Sequence, residues 1–307
     1  MSRPILIDCD PGHDDAIALM LAAASPAVDL LAVTTVAGNT TLDKTTANAI
    51  RVLDLLEVDI PVAAGADRPL VRDLVVAEHV HGPSGLDGPV LRPPSRGPEP
   101  MHAVELIART VRESAAPITL VPIGPLTNIA LFIALHPELL DGVERIVLMG
   151  GSIGMGNVTP SAEFNLYVDP EAAARVFSSG LDVTMIGLDV THRALLYPTD
   201  AERLSRGGDA ARFVSDLFGF FSRHEPAGRA LDGAPVHDAV AVAHVIWDDL
   251  VGTERRPVEI DLGPTERGRT VVDLRPGGLE HGSVQVATTI DGERFTRLLV
   301  EHIESLR

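Results

Sequence analysis

The sequence predicts an α/β fold: an open, doubly wound, mostly parallel sheet with helices on both faces, built by residues 1–307 as a single domain. Three observations lead there. Apolar runs of strand length recur without polar alternation, which is the pattern of strands buried on both faces. Segments carrying Ala, Leu and Arg or Glu at helix-like spacing separate these runs, as in a chain of βαβ units. The polar clusters stand where the apolar runs end, and in such sheets ligands collect beyond the carboxyl ends of the strands. The length suits one large α/β unit better than two domains.

Taken in order, Ile5–Ile7 is the first strand and residues 14–24 the first helix. Leu30–Val36 and residues 42–57 repeat the pair. Residues 66–100, rich in Pro and Gly, form a long connection that reads as a candidate lid, because loops of this length are uncommon unless functional or disordered. A helix over 101–114 and a strand over Ile118–Ile123 follow, then Pro125 as the first residue of a helix running Leu126–His136. Next come the strand Ile146–Met149, a helix over 170–179, the strand Val183–Ile186 and a helix over 209–223. Residues 222–236 are a second candidate lid, placed just before an apolar segment that opens at His237. The last sixty residues, with β-like runs at Val258–Leu262, Thr270–Leu274 and Ser283–Ala287 and a helix from about Gly292, read as an added layer. The glycine-rich stretch Gly151–Gly156 follows a strand but is not a dinucleotide site: the sixth position from Gly154 is Thr159, and no helix follows at once.

Charge and cysteine content narrow the function. With 43 acidic against 25 basic residues and a formal net charge of −18, the chain repels nucleic acid and anionic membranes, so an uncharged small molecule is the better partner. Cys9 is the sole cysteine, which excludes a disulfide framework and a cysteine zinc cluster, and it reads as a small buried residue. The first residues enter strand one directly, leaving no room for a signal peptide, and no apolar stretch approaches the ~18–20 residues of a membrane span. A cytoplasmic protein is expected.

Asp8, Asp10, Asp14 and Asp15 crowd the junction of strand one and helix one. A helix N-terminus accounts for one or two of them as caps. Four carboxylates held together raise one another's proton affinity or recruit a cation, and oxygen-only ligands suit Ca2+ or Mg2+ rather than zinc. Gly12 and Gly38 let the backbone turn tightly beside this cluster.

The run from Asp8 to Ala18 resembles the signature DxDPGxDDAxA of the nucleoside hydrolases, the inosine-uridine-preferring N-ribohydrolase family. Gly124–Asn128 and His237–Ala239 occur in the family's order, and Gly38-Asn39, Met149–Gly151, Asn157 and Glu163–Asn165 extend the resemblance over residues 5 to about 245. It implies a Rossmann-like nucleoside hydrolase fold and Ca2+-dependent hydrolysis of the N-glycosidic bond of ribonucleosides to ribose and free base. It further implies Asp10, Asp15, Asp238 and the Leu126 carbonyl as metal ligands, with Asp10 also accepting a proton from the attacking water. Asp14, Asn39, Asn157, Glu163 and Asn165 would bind ribose hydroxyls, with Met149 at the 3′ side. His237, beside Asp238, is the candidate for assisting the leaving base, and His81 on the first candidate lid for contacting it. A homo-oligomer, dimer or tetramer, is the family's common state.

Near the second lid the chain offers Phe218, Phe220 and Phe221 but no tyrosine or tryptophan, departing from both the purine-stacking and the tyrosine-bearing patterns; pyrimidine or broad specificity is the expectation. Two rival readings remain. A haloacid dehalogenase-type Mg2+ phosphatase also places two aspartates two apart after a strand, but expects a catalytic lysine where Lys44 is the only one in the chain. A non-catalytic nucleoside-binding protein would be expected to have lost part of the set Asp10, Asp15, Asn165 and Asp238, all of which are present.

Overall fold

A computed structural model of the protein describes residues 2–224, 233–276 and 282–306, the side chains of residues 221–224 excepted. Its strands are β1 (Arg3–Cys9), β2 (Val28–Thr35), β3 (Val62–Ala64), β4 (Ile118–Pro122), β5 (Val143–Met149) and β6 (Val183–Ile186). These are followed by β7 (Leu195–Leu196), β8 (Ala234–Pro235), β9 (Val251–Arg256), β10 (Val258–Ile260), β11 (Thr270–Val272) and β12 (Val284–Ile290). Eight of them form one sheet in the order β3-β2-β1-β4-β5-β6-β12-β9. Every neighbouring pair is parallel except β12 with β9, so the edge strand β9 alone runs backwards. The predicted class, open and mostly parallel, is the observed one.

Why the strands carry no polar alternation is plain from the two faces of β1. Ile5, Ile7 and Cys9 enter a core on one side with the helices His13–Ala24 (α1) and Leu42–Leu55 (α2). Leu6 enters a second core on the other side with the helices Ala103–Glu113, Thr127–Leu135 and Pro170–Phe177. Both faces exclude water, so each strand residue gains from being apolar. Cys9 is fully buried, and no helix among the described residues is long and apolar enough to cross a membrane.

The C-terminal region is not an added layer. Val284–Ile290 inserts as β12 between β6 and β9 and completes the main sheet, and only β10 with β11 forms a separate hairpin. Helix Thr127–Leu135 starts one residue later than expected, with Leu126 as its N-cap and Pro125 outside it. The second candidate lid falls largely on residues 225–232, outside the described residues.

The carboxyl ends of β1, β2 and β3 are tied together by Asn128. Its Nδ2 donates to Asp8 Oδ1 at 2.8 Å and to the Thr35 carbonyl at 3.0 Å, while its Oδ1 accepts from Ala66 N–H at 2.9 Å. Asp8 Oδ1, which also accepts from Thr34 Oγ1 at 2.6 Å, thus serves the scaffold. Asn128→Ala strands buried donors and acceptors at about 1–3 kcal/mol each. A loss of at least ~2 kcal/mol in denaturant unfolding is expected, and a loss below ~0.5 kcal/mol would show that Asn128 does not hold these strand ends.

Candidate active site

The strand order reverses direction at β1, which has β2 on one side and β4 on the other, and the crevice outside such a switch point is where this architecture places ligands. Three helix N-termini meet there. Asp14 and Asp15 lie in the first turn of α1, Asp238 in the first turn of the helix His237–Ile246, and Leu126 caps the helix that follows β4. Their unpaired N–H groups and dipoles favour negative charge.

Asp15 occupies the centre. Its Oδ1 accepts from Asp10 N–H at 3.1 Å, and its Oδ2 accepts from Gly12 N–H at 2.9 Å and from Asn39 Nδ2 at 3.0 Å. Asp10 Oδ2 accepts from Asn39 N–H at 2.6 Å, whereas Asp10 Oδ1 is buried without a hydrogen-bond partner. Asp14, Asp15 and Asp238 each place a carboxylate oxygen within 4.8 Å of the others. The Leu126 carbonyl accepts from Ala130 N–H at 2.9 Å, which occupies one of its two lone pairs.

Burial, followed by the neighbouring carboxylates, holds Asp10 and Asp238 well above the usual carboxylate range. The same two causes push Asp14 up to about 7, and burial raises Asp15 despite the N–H groups of Gly12 and Asp10. An uncompensated buried carboxylate costs several kcal/mol. A hard cation among these oxygens removes that cost, and the orphaned Asp10 Oδ1 together with the oxygen-only donor set fits one.

Above the cluster opens a cavity of about 440 Å³, the size of a small-molecule site. Asp14, Asn39, His81, Met149, Asn157, Glu163, Asn165, His237 and Asp238 all line it. Asp10, Asp15 and Leu126 lie beneath it, fully buried. The two amides present acceptors. Asn39 Nδ2 is engaged by the Asp10 carbonyl and Asp15, and Asn165 Nδ2 by the carbonyls of Ile123 at 2.8 Å and Met149 at 3.2 Å, which leaves each Oδ1 to accept from a hydroxyl. Glu163 caps the helix Phe164–Val168, accepting from Asn165 and Leu166 N–H, and burial pushes it up to about 6. Asn157 Oδ1 accepts from Phe164 N–H at 2.9 Å.

Gly12 and Gly38 act by close approach rather than by a left-handed turn. A Cβ at Gly38 would lie 2.1 Å from Asp10 Oδ2, and one at Gly12 would lie 2.6 Å from His81 Nδ1. The His81 segment is pinned rather than loose. Lys44 Nζ donates to Glu78 at 2.8 Å and to the Pro83 carbonyl at 2.7 Å, and Asn48 Nδ2 bridges the carbonyls of Pro11 and Ser84.

Several histidines at the site escaped the sequence reading. His13 N–H donates to His81 Nδ1 at 3.2 Å, and the His13 ring stacks between His81 and Phe220. His79 and His192 line the cavity beside His81 and His237. The one signal available was that His13 sits inside the aspartate motif.

Comparison with known proteins agrees with this geometry. The sequence model of the inosine-uridine preferring nucleoside hydrolases matches residues 5–297. The pyrimidine-specific ribonucleoside hydrolase RihA of Photobacterium profundum is 53% identical and that of Shewanella woodyi 50%, each alignment covering 99% of both chains. Among solved structures, the purine-preferring ribonucleoside hydrolase from Gardnerella vaginalis superposes with a TM-score of 0.92 at 32% identity over 99% of both chains. The chain therefore belongs to the inosine-uridine preferring nucleoside hydrolase family and is a nucleoside hydrolase.

Proposed function

We propose that the protein hydrolyses pyrimidine ribonucleosides to ribose and free base with Ca2+ held by Asp10, Asp15, Asp238 and the Leu126 carbonyl, Asp14 lying beside them. The observation that carries this reading is the open cavity set directly above a buried acidic cluster. Preference for pyrimidines is supported by RihA relatives at 50% and 53% identity, against 32% for the purine-preferring structure. The unit is the single domain 1–307, because the main sheet takes strands from both ends of the chain.

When bound, Ca2+ supplies Lewis acidity and a template for water and vicinal hydroxyls. Asp10, whose buried Oδ1 has no protein partner, takes the proton of the attacking water. The water oxygen bonds to the anomeric carbon as the C–N bond breaks, and the bonding electrons leave with the base. Positive charge that develops on the ribose meets the carboxylates of Asp14, Asp15 and Asp238, so the transition state is held more tightly than the substrate. Asp14, Asn39, Asn157, Glu163 and Asn165 hydrogen-bond the ribose hydroxyls, with Met149 at the 3′ side. His237 protonates the departing base, and His81 contacts it.

The phosphatase alternative is disfavoured because Lys44 is paired with Glu78 and does not line the cavity. The test is release of free base from uridine, cytidine, inosine and adenosine, before and after exhaustive chelation. Chelation should abolish activity, with Ca2+ restoring it better than zinc. Full activity in protein shown by elemental analysis to be metal-free would refute the metal assignment, and faster turnover of inosine than uridine would refute the base preference.

A further inference from the structure

The turn after β6 carries residues that the mechanism above does not use. The helical turn Leu188–Thr191 is rigidly supported: Leu188 N–H donates to the Gly151 carbonyl at 2.9 Å, and Thr191 N–H to that of Gly187 at 3.2 Å. Asp189 accepts from Ile153 N–H at 2.6 Å and Gly154 N–H at 3.1 Å, which ties the turn to the loop bearing Asn157. Thr191 is fully buried. A helical threonine commonly turns its hydroxyl back to a carbonyl in the preceding turn. Here Thr191 Oγ1 instead lies 2.7 Å from Nδ1 of His237. His192 stands edge-on to the same ring, centroids 5.4 Å apart at 79°.

We propose that Thr191 is a positioning residue for the reaction, holding the His237 imidazole in its working orientation through the hydrogen bond to Nδ1, with His192 as the second wall of the ring's slot. This rests on the placement of His237 in the catalytic cavity. Rotation of an imidazole about its last side-chain bond is only weakly restrained by its own backbone, so the ring's facing is set by what its nitrogens touch. A hydroxyl both donates and accepts, so Thr191 holds either tautomer of His237. Valine has the same shape and can hold neither, whereas serine keeps the hydroxyl and loses only the methyl. Placing the group on a short, doubly anchored turn gives it the fixed support that a catalytic orientation requires.

The experiment is a double-mutant cycle with Thr191→Val and His237→Ala, and Thr191→Ser alongside, assayed on the ribonucleoside that the wild type turns over best. A side-chain hydrogen bond of ordinary strength corresponds to about a tenfold change in rate. Thr191→Val should lower kcat about tenfold with KM changed less than ~3-fold, and Thr191→Ser should stay within ~3-fold of wild type. In the His237→Ala background, Thr191→Val should change kcat less than ~2-fold, because its target is gone. An equal loss in both backgrounds, or failure of serine to restore the rate, would make Thr191 a fold residue and overturn the proposal. Wild-type kcat in Thr191→Val together with a damaged His237→Ala overturns it as well, while leaving the role of His237 intact. Wild-type rates in His237→Ala would remove His237 itself from the mechanism, and the proposal with it.

Discussion

Uridine is expected to be hydrolysed about 10⁴-fold more efficiently than 2′-deoxyuridine, because a site built to pair a hydroxyl rejects the analogue that lacks it by roughly that factor. The cavity floor is made of acceptors. Asn39 and Asn165 both spend their NH2 groups on the protein, so their Oδ1 atoms, together with the Asp14 carboxylate, need donors from the ligand. The ribose hydroxyls supply those donors. Without one of them a buried acceptor stays unpaired in the complex, and the penalty is largest where charge is developing on the sugar. The measurement is kcat/KM for the two nucleosides under the same metal concentration. A ratio below ~100 would mean that these acceptors do not face the reacting sugar, and the ribose assignments of Asp14, Asn39 and Asn165 would go with it.

Which parts of this site were legible in the sequence follows from how local each signal is. Asp10, Asp14 and Asp15 announce themselves because they crowd the junction of β1 with α1, and a parallel sheet brings such junctions to one edge, whereas Asp238 follows a strand outside the main sheet and is legible only through the His237–Ala239 motif. Their mutual distances are another matter. Spacing along the chain does not reveal that Asp14 brings a carboxylate oxygen within 4.8 Å of those of Asp15 and Asp238, because that depends on the packing of two helices more than 200 residues apart in sequence. The same limit applies to Val284–Ile290. The sequence marks Ser283–Ala287 as β-like and so finds its first half, but strand order is a non-local property, and nothing in so short a run shows that it inserts beside β6. His192 carries no periodic or motif signal, and His13 carries only its place inside the aspartate motif; their partners, His81, Phe220 and His237, come from other segments. Gly38 is required for a reason other than a tight turn, since its backbone is ordinary and the close approach of Asp10 Oδ2 and of the Pro125 ring excludes a side chain.

Asp10→Asn should lower kcat by at least ~100-fold, the lower end of what loss of a general base costs. The structure makes this substitution unusually clean. Asp10 Oδ2 accepts from Asn39 N–H at 2.6 Å, so an asparagine must put its carbonyl oxygen there, because its NH2 group would face another donor. The amide nitrogen is then forced into the place of Oδ1, the one atom of the carboxylate that has no protein partner. Shape and the Asn39 contact survive, and what is lost is the oxygen proposed to meet the water and the cation. A donor at that point cannot accept a proton and binds a cation poorly, so the assay belongs at saturating Ca2+, with metal content measured on the same sample. Under those conditions KM should move little while kcat falls, since the interaction removed is made mainly in the transition state. A variant with full metal occupancy that keeps more than about a tenth of wild-type kcat would show that the proton of the attacking water goes elsewhere, with Asp14, which lines the cavity, the next carboxylate to test.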